Sequence, residues 1–175
     1  KIDEVKLISI VGEYIFGYDN DTIESVIGKM LNEKKKTLST AESCTGGNIA
    51  KMITSVSGSS DYFMGGIVAY SNEIKTGELN VNTADIEKFG AVSQEVVEAM
   101  AKGAIKKFRT NYSIAVSGIA GPNGGSAEKP VGTVWIAVAS EKEVTSKKFS
   151  FGTSRERVFT SASITALNML RKFFS

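Results

Sequence analysis

A β-type run at residues 37–41 passes through one short turn into an amphipathic helical pattern that starts near Asn48. The turn, Glu42-Ser-Cys-Thr-Gly-Gly47, carries two hydroxyls, a thiol and two glycines. A strand followed directly by a helix is typical of α/β proteins, which often present a nucleophile and free backbone N–H groups at that junction. The junction therefore predicts both the class of fold and the place where chemistry would occur.

The same alternation of strand and helix patterns continues along the 175 residues, a length that suits one domain. Strands are predicted at about 37–41, 65–71, 112–117, 131–140 and 143–151. Helices are predicted to begin near Asp21, Gly46, Thr83, Ser93 and Ser154. Helices between the first three strands imply right-handed crossovers, and the short last turn implies an antiparallel pair. We predict an α/β fold, a three-layer α/β/α sandwich with a mixed, mainly parallel sheet of about five strands.

The composition argues against several classes of function. With 21 Lys and Arg against 19 Asp and Glu, the formal charge of +2 offers no strong field for nucleic acid or anionic lipid. No apolar run reaches the length of about 18 residues that a membrane span needs. One cysteine and no histidine argue against disulfides and transition-metal sites. We expect a cytoplasmic protein without metal or cofactor that binds neither nucleic acid nor membrane.

Two neighbouring residues, Ser43 and Cys44, are rival nucleophiles. Adjacent side chains on an extended segment point in opposite directions, so only one of them faces a cleft. The structural alternatives are a helix-capping serine and a buried cysteine that packs as a small apolar residue. The backbone N–H groups at Thr45, Gly46 and Gly47 suit an oxyanion hole for acyl transfer.

Because the chain has no histidine, the proton of a serine nucleophile must go to another base. Lys75 follows a buried strand and the polar turn 70–73, so it is expected at the same sheet edge as Ser43. An ordinary lysine has a pKa of about 10.4, so burial or positive charge must lower it for this role. Taken alone, Lys75 is interpreted as a solvated surface lysine, and only its pairing with Ser43 in a chain without histidine favours the role of a base.

A long polar loop, residues 118–130, connects two predicted core strands. Such a loop is usually functional or disordered, and its glycines suit a phosphate or a carboxylate. It lacks the Gly-Lys-Ser/Thr ending of a nucleotide-binding P-loop. Arg155, at the start of the last helix, would offer an anion both a guanidinium and free N–H donors, although a surface arginine is an equally good interpretation. The loop glycines are Gly118, Gly121, Gly124 and Gly125.

Five segments together resemble successive signatures of one family, the CinA C-terminal domain, also called the PncC family. The resemblance runs from about residue 20 to the end of the chain, and several motifs in order are more specific than any one. The segments are Ala41-Glu-Ser-Cys-Thr-Gly-Gly47, Tyr70-Ser-Asn-Glu-Ile-Lys75, Gly90-Ala-Val-Ser93, Ser117-Gly-Ile-Ala-Gly-Pro122 and Lys129-Pro-Val-Gly-Thr-Val-Trp135.

The resemblance implies a metal-independent serine hydrolase that converts nicotinamide mononucleotide to nicotinate mononucleotide and ammonia. Carried over by motif, Ser43 would be the nucleophile, Lys75 the general base and Tyr70 an orienting or proton-sharing group. The resemblance also implies a set of substrate-binding residues: Thr45, Gly46, Gly47, Asn72, Gly118, Gly121, Gly124, Gly125, Lys129, Thr133 and Arg155. Of these, the residues from Gly118 onward would bind the phosphoribosyl end. The family also implies a homodimer.

The sequence departs from the family pattern before the last helix. Members often carry Gly-Asp-Arg there, whereas this chain reads Gly152-Thr-Ser-Arg155, so the arginine is retained behind a different lead-in. Residues 1–18 resemble the linker of longer two-part CinA proteins. We therefore expect residues 1–19 to be a linker remnant of an upstream domain and residues 20–175 to form the CinA C-terminal domain.

Two alternative functions stay open. In long CinA proteins, which are linked by name to competence and DNA damage, this domain would be a non-catalytic module that binds a nucleotide or partner or supports dimer formation. The other alternative is an amidase for a different small carboxamide.

Overall fold

The computed structural model of the chain describes Lys6, residues 10–12 and residues 15–174. The strands are β1 (Leu38–Glu42), β2 (Phe63–Val68), β3 (Tyr112–Gly118), β4 (Thr133–Ser140) and β5 (Val144–Ser150). The helices are α1 (Ile23–Lys34), α2 (Asn48–Thr54), α3 (Asn72–Leu79), α4 (Thr83–Phe89), α5 (Gln94–Phe108) and α6 (Arg155–Phe173).

The five strands form one mixed sheet in the order β2-β1-β3-β4-β5. β1 pairs in parallel with both β2 and β3, and β4 is antiparallel to both of its neighbours. Four strands therefore run in one direction and β4 runs in the other. The predicted α/β class, the mainly parallel sheet and the antiparallel last pair are confirmed.

Each face of the sheet is covered by its own helices. On one face α1, α2 and α6 pack against branched side chains such as Ile114, Val134 and Ile136. On the other face α5, together with the end of α3, packs against small residues such as Ala115 and Ala137. This difference follows from the period of two along a strand, which sends successive side chains to opposite layers. None of the helices in the described part of the chain is long and apolar enough to cross a membrane.

Several predicted element boundaries are wrong, and one helix was not predicted. The first helix is capped by Thr22, whose hydroxyl accepts from the Ser25 N–H at 3.3 Å, rather than by Asn20 or Asp21. β2 ends at Val68, and α3 follows where a polar turn was expected. With eight residues and few apolar positions, α3 shows too little periodicity to be recognised. The expected linker at residues 1–19 lies partly outside the described residues.

The Tyr62 side chain is 1% exposed, and its hydroxyl has no hydrogen-bond partner in the part of the chain that the structure describes. A buried donor without a partner loses its hydration without compensation. We expect Tyr62→Phe to raise the free energy of unfolding by about 1 kcal/mol and Tm by about 2–4 °C. Thermal and urea unfolding measure this, with the exposed Tyr18→Phe as control. A loss of stability in Tyr62→Phe would mean that the hydroxyl has a partner.

Candidate active site

The turn between β1 and α2 is held by a carboxylate that the sequence analysis did not single out, Glu42. Its Oε2 accepts from the Thr45 hydroxyl at 2.8 Å and from the N–H groups of Gly47 and Ile49 at 3.1 and 3.0 Å. Oε1 accepts from the Ala50 N–H at 2.8 Å. The negative charge thus satisfies the free N–H groups of a short helix that has no acid in its own first turn. An acid just before a strand-to-helix turn was the sequence signal for this role.

Ser43 directly follows the central strand β1, and sheet hydrogen bonding continues beside it on both sides. Its N–H donates to Val116 of β3 at 2.9 Å, and the carbonyl of Glu42 accepts from the Ala69 N–H at 2.7 Å. Ser43 therefore lies between Ala69, beyond the end of β2, and Ser117 on β3. Its side chain is 8% exposed, and its hydroxyl has no hydrogen-bond partner within the described residues.

Cys44, the rival nucleophile, belongs to the core. The side chain is 4% exposed and packs in the apolar cluster beneath α2 and α6. Burial raises the pKa of the Cys44 thiol to about 12. The reactive form of cysteine is the thiolate, so a thiol in this environment is a poor nucleophile near neutral pH. The thiol also lines the cavity described below, so its burial and raised pKa, rather than its position, favour Ser43 as the nucleophile.

Lys75 lies on α3 rather than in a turn, and its side chain is only 2% exposed. Its Nζ atom donates to the carbonyl oxygen of Ala69 at 2.9 Å. The carbonyls of Tyr70 and Ser71 lie farther away, each 3.4 Å from Nζ. The shortest of these bonds places the amine beside the residue that flanks Ser43, since adjacent strands lie about 4.8 Å apart.

The electrostatic environment of Lys75 favours the uncharged amine. Burial lowers the pKa of Lys75 from its ordinary value of 10.5, and the nearby acidic groups of Cys44 and Glu73 oppose that shift. No carboxylate in the described residues forms an ion pair with Lys75. A neutral amine keeps two N–H donors and gains a lone pair, so it can accept the proton of a serine hydroxyl.

Tyr70 and Arg155 meet at the mouth of the site. Arg155 Nη2 donates to the Tyr70 hydroxyl at 3.1 Å, and Nη1 donates to the Gly121 carbonyl at 2.9 Å. The guanidinium also stacks 4.9 Å from the centre of the Phe159 ring. Arg155 is the first residue of α6, so its charge is held where free N–H groups also point outward. The Tyr70 hydroxyl contacts the arginine in this structure and forms no hydrogen bond with Ser43 or with the Lys75 amine.

These groups surround one cavity of about 300 Å³ at the end of the sheet where β1, β2 and β3 terminate. The structure brings together eight of the predicted site residues there. They are Ser43, Tyr70, Asn72, Lys75, Gly118, Gly121, Gly124 and Arg155. Ala91, Val92 and Ser117, which the sequence analysis assigned no role, also line it.

Three predicted residues of the turn do not line the cavity. The Gly46 N–H donates to the Ser43 carbonyl at 3.1 Å, and the Gly47 N–H donates to Glu42. Neither N–H is free for an oxyanion, and the expectation that they are is corrected. Both glycines instead have positive φ values, +60° and +97°, which the tight turn requires. The Thr45 side chain also donates to Glu42, and only its N–H has no partner among the described residues.

Three other predicted substrate-binding residues also lie away from the cavity surface. Lys129 Nζ donates to the carbonyl of Phe89 at 2.6 Å, which uses one of its three N–H donors. Thr133 is 2% exposed at the start of β4, and Gly125 is exposed on the loop. None of the three lines the cavity in this structure, and their contact with a substrate stays a prediction. Within the described residues, no three Cys, Asp or Glu side chains come close enough to hold a metal ion.

Comparison with known proteins gives a consistent picture. The family model described as "CinA C-terminal domain" matches residues 20–174. A CinA-like protein of Flavobacterium psychrophilum is 53% identical over 168 residues, which cover 95% of this chain and 40% of that protein. One from Trichormus variabilis is 46% identical over 172 residues, covering 97% and 41%. The chain spans about two fifths of the length of these curated relatives.

Solved structures described as competence/damage-inducible or CinA superfamily proteins share the fold. A competence/damage-inducible protein from Agrobacterium tumefaciens superposes with a TM-score of 0.87 and 39% identity, covering 92% of this chain and 99% of that one. A CinA superfamily protein from Escherichia coli gives a TM-score of 0.82 with 30% identity, covering 93% and 98%.

Proposed function

This chain belongs to the CinA C-terminal domain family, and we propose that it hydrolyses the carboxamide of nicotinamide mononucleotide to nicotinate mononucleotide and ammonia. One observation carries the proposal. Ser43, whose hydroxyl has no hydrogen-bond partner within the described residues, shares a small cavity with a buried lysine amine whose pKa is lowered by burial. An alcohol beside an uncharged amine is a nucleophile and a base, which amide hydrolysis requires.

In the first half of the proposed reaction, Ser43 Oγ forms a bond to the carboxamide carbon while its proton passes to Nζ of Lys75. The carbonyl electrons move onto oxygen and give a tetrahedral intermediate. The bond from carbon to nitrogen then breaks, the nitrogen takes the proton from Lys75, and ammonia leaves. The nicotinoyl group remains as an ester on Ser43.

In the second half, water attacks the ester carbon and gives a proton to Lys75. The bond to Ser43 Oγ breaks, Oγ recovers the proton from Lys75, and the product is released as a carboxylic acid that ionises by losing its proton to solvent. The residue after the nucleophile usually supplies one N–H to the oxyanion in serine hydrolases that use a strand-to-helix turn. Here the N–H of Cys44 has no partner in the described part of the chain, which supports that role.

Arg155 is proposed to bind the phosphate of the nucleotide. The guanidinium has five N–H donors, of which one bonds to Tyr70 and one to Gly121, and Arg155 lines the cavity. Arginine matches phosphate geometry and gives charge-assisted hydrogen bonds. The assignment of Arg155 rests partly on the resemblance, although the residues just before it differ from the family pattern.

We expect Arg155→Met to raise the KM for nicotinamide mononucleotide about tenfold to a hundredfold, because about 1.5–3 kcal/mol of charged hydrogen bonding is lost. The KM for the unphosphorylated riboside should change little. Steady-state kinetics on both compounds measure the difference. Arg157→Met, two residues along the same helix and exposed, is the matched control. An equal rise in KM for both compounds would contradict phosphate recognition.

The experiment that tests the proposed function is ammonia release from nicotinamide mononucleotide by the purified chain. Turnover supports the proposal. Saturable binding without turnover would instead favour a non-catalytic nucleotide-binding module. Turnover confined to other compounds in a panel of small carboxamides would favour a different amidase. The homodimer expected from the resemblance stays a prediction that the mass of the protein in solution would test.

A further inference from the structure

The loop between α4 and α5 forms the wall of the cavity beside β3, where Ala91 and Val92 line it. Side-chain donors hold three successive carbonyls of this loop. Lys129 Nζ donates to Phe89 at 2.6 Å, Ser93 Oγ to Gly90 at 2.8 Å and Ser117 Oγ to Ala91 at 2.7 Å. The Ser93 bond fixes the peptide group that carries the Ala91 N–H, and the Ser117 bond fixes the one that carries the Val92 N–H. The Lys129 bond fixes the preceding peptide group, whose N–H, that of Gly90, donates to the Ile86 carbonyl at 2.9 Å.

Gly90 shows how closely this loop is held. Its φ is +80°, and a Cβ atom there would lie 3.0 Å from Lys129 Nζ. A side chain would therefore strain the backbone and crowd the lysine at once. In contrast to the carbonyls, the N–H groups of Ala91 and Val92 have no hydrogen-bond partner within the residues that the structure describes.

The loop lies beside Ser43, which indicates a role for its free N–H donors. Ser117 is the β3 neighbour of Ser43, so the carbonyl that Ser117 holds lies on the β3 flank of the nucleophile. Lys75 is bonded to Ala69 on the opposite, β2 flank. Ser43, a residue that is 8% exposed and whose hydroxyl has no partner among the described residues, thus lies between a base and a wall with two free donors.

We propose that the N–H groups of Ala91 and Val92 donate to the carboxamide oxygen as it becomes an oxyanion. Ser93 and Ser117 are positioning residues that hold these two peptide groups, and Lys129 anchors the peptide group that precedes them. This inference rests on the proposed amidohydrolase function. Donors fixed before the reaction stabilise developing charge without reorganisation. Together with the Cys44 N–H, they would complete an oxyanion hole from two separate segments, the usual arrangement in serine hydrolases with a strand-to-helix nucleophile turn.

Ser117→Ala tests the inference against a matched variant, Ser113→Ala. Both serines lie on β3, four residues apart, and both donate to a backbone carbonyl, Ser113 to Ala101 at 2.8 Å. We expect Ser117→Ala to lower kcat about 10-fold to 100-fold, less than the loss of a donor outright, with KM changed less than about twofold. Ser113→Ala, far from the cavity, should keep kcat within about twofold of the parent.

Lys129 provides a second, independent pair of variants in case Ser117→Ala does not fold. Lys129→Met removes the donor to Phe89 and should lower kcat, while Lys129→Arg keeps a donor and should restore it. Equal kcat in Ser117→Ala and Ser113→Ala, or an effect on KM alone, would overturn the inference. If Ser117→Ala is unfolded, an unchanged kcat in Lys129→Met would overturn it instead. A parent chain that releases no ammonia would show that the proposed function itself had failed, and the inference would fall with it.

Discussion

Replacing Ser43 with alanine is expected to lower ammonia release from nicotinamide mononucleotide by about 10⁴-fold or more, the usual consequence of losing a hydrolase nucleophile. The hydroxyl has no partner within the described residues, so its removal breaks no bond there and the fold should persist. Coupled detection of ammonia measures the rate, and thermal unfolding checks the fold. Mass spectrometry of the parent chain with a slow substrate should show the nicotinoyl ester on Ser43.

Cys44→Ala is the matched control, one residue away. Because burial raises the pKa of that thiol to about 12, its loss should leave the rate within a few-fold of the parent. Truncation of a buried side chain should still cost about 1 kcal/mol of unfolding free energy. If Ser43→Ala keeps a near-normal rate and Cys44→Ala abolishes it, the thiol is the nucleophile and the assignment is wrong.

Replacing Lys75 with methionine is expected to lower kcat by about 10²–10⁴-fold, the range that general base catalysis supplies. Methionine keeps much of the length of the side chain and fills the same buried space. Lys75→Arg sharpens the test, because arginine can still donate to the Ala69 carbonyl but cannot accept a proton near neutral pH. Both variants should show this loss of kcat, whereas Lys102→Met, on the surface of α5, should keep the kcat of the parent. Activity retained in Lys75→Arg would exclude the amine as the base.

Both the activity and the stability of the parent chain should depend on pH through the titration of Lys75. Only the uncharged amine accepts a proton, so kcat/KM should rise with pH until it passes the lowered pKa of Lys75 and should then level off. The stability should move in the same direction. Between that lowered pKa and the unfolded value of about 10.4, the unfolded chain binds more protons, so the free energy of unfolding rises with pH. Lys75→Met should lose both effects, and a flat rate profile would contradict the mechanism.

Much of the fold could be predicted because its strands and longer helices repeat apolar residues at the period of their own backbone. The pattern Ile23, Ile27 and Leu31 marks α1, and the continuous apolar run at residues 134–139 of β4 marks a strand buried on both faces. The helix α3 was not predicted, since its eight residues carry too few apolar positions. Lys75 was therefore expected to follow a turn, whereas it lies on a helix. It does line the cavity at the sheet edge where it was expected.

For the candidate site, the resemblance predicted which residues come together better than it predicted their hydrogen-bond partners. Motif resemblance brought Ser43, Lys75 and Arg155 together in one hypothesis, and the structure places all three on one cavity. The resemblance also proposed Gly47 and Lys129, which do not line the cavity: the Gly47 N–H donates to Glu42, and Lys129 Nζ donates to the Phe89 carbonyl. A sequence shows which donors exist, but the partner that satisfies each of them depends on which segments fold against one another.

The sequence by itself determined the layered α/β class, the junction at Ser43 and the need for a base other than histidine, because periodicity and residue type are local properties of the chain. Only the tertiary structure decided that the Cys44 thiol is buried, that Glu42 holds the turn and that the loop at Ala91 presents free N–H groups. Those three outcomes depend on hydrogen bonds and burial between segments up to tens of residues apart. The pKa of Lys75 belongs with them, since its main cause is the removal of water by neighbouring elements, which no stretch of sequence contains.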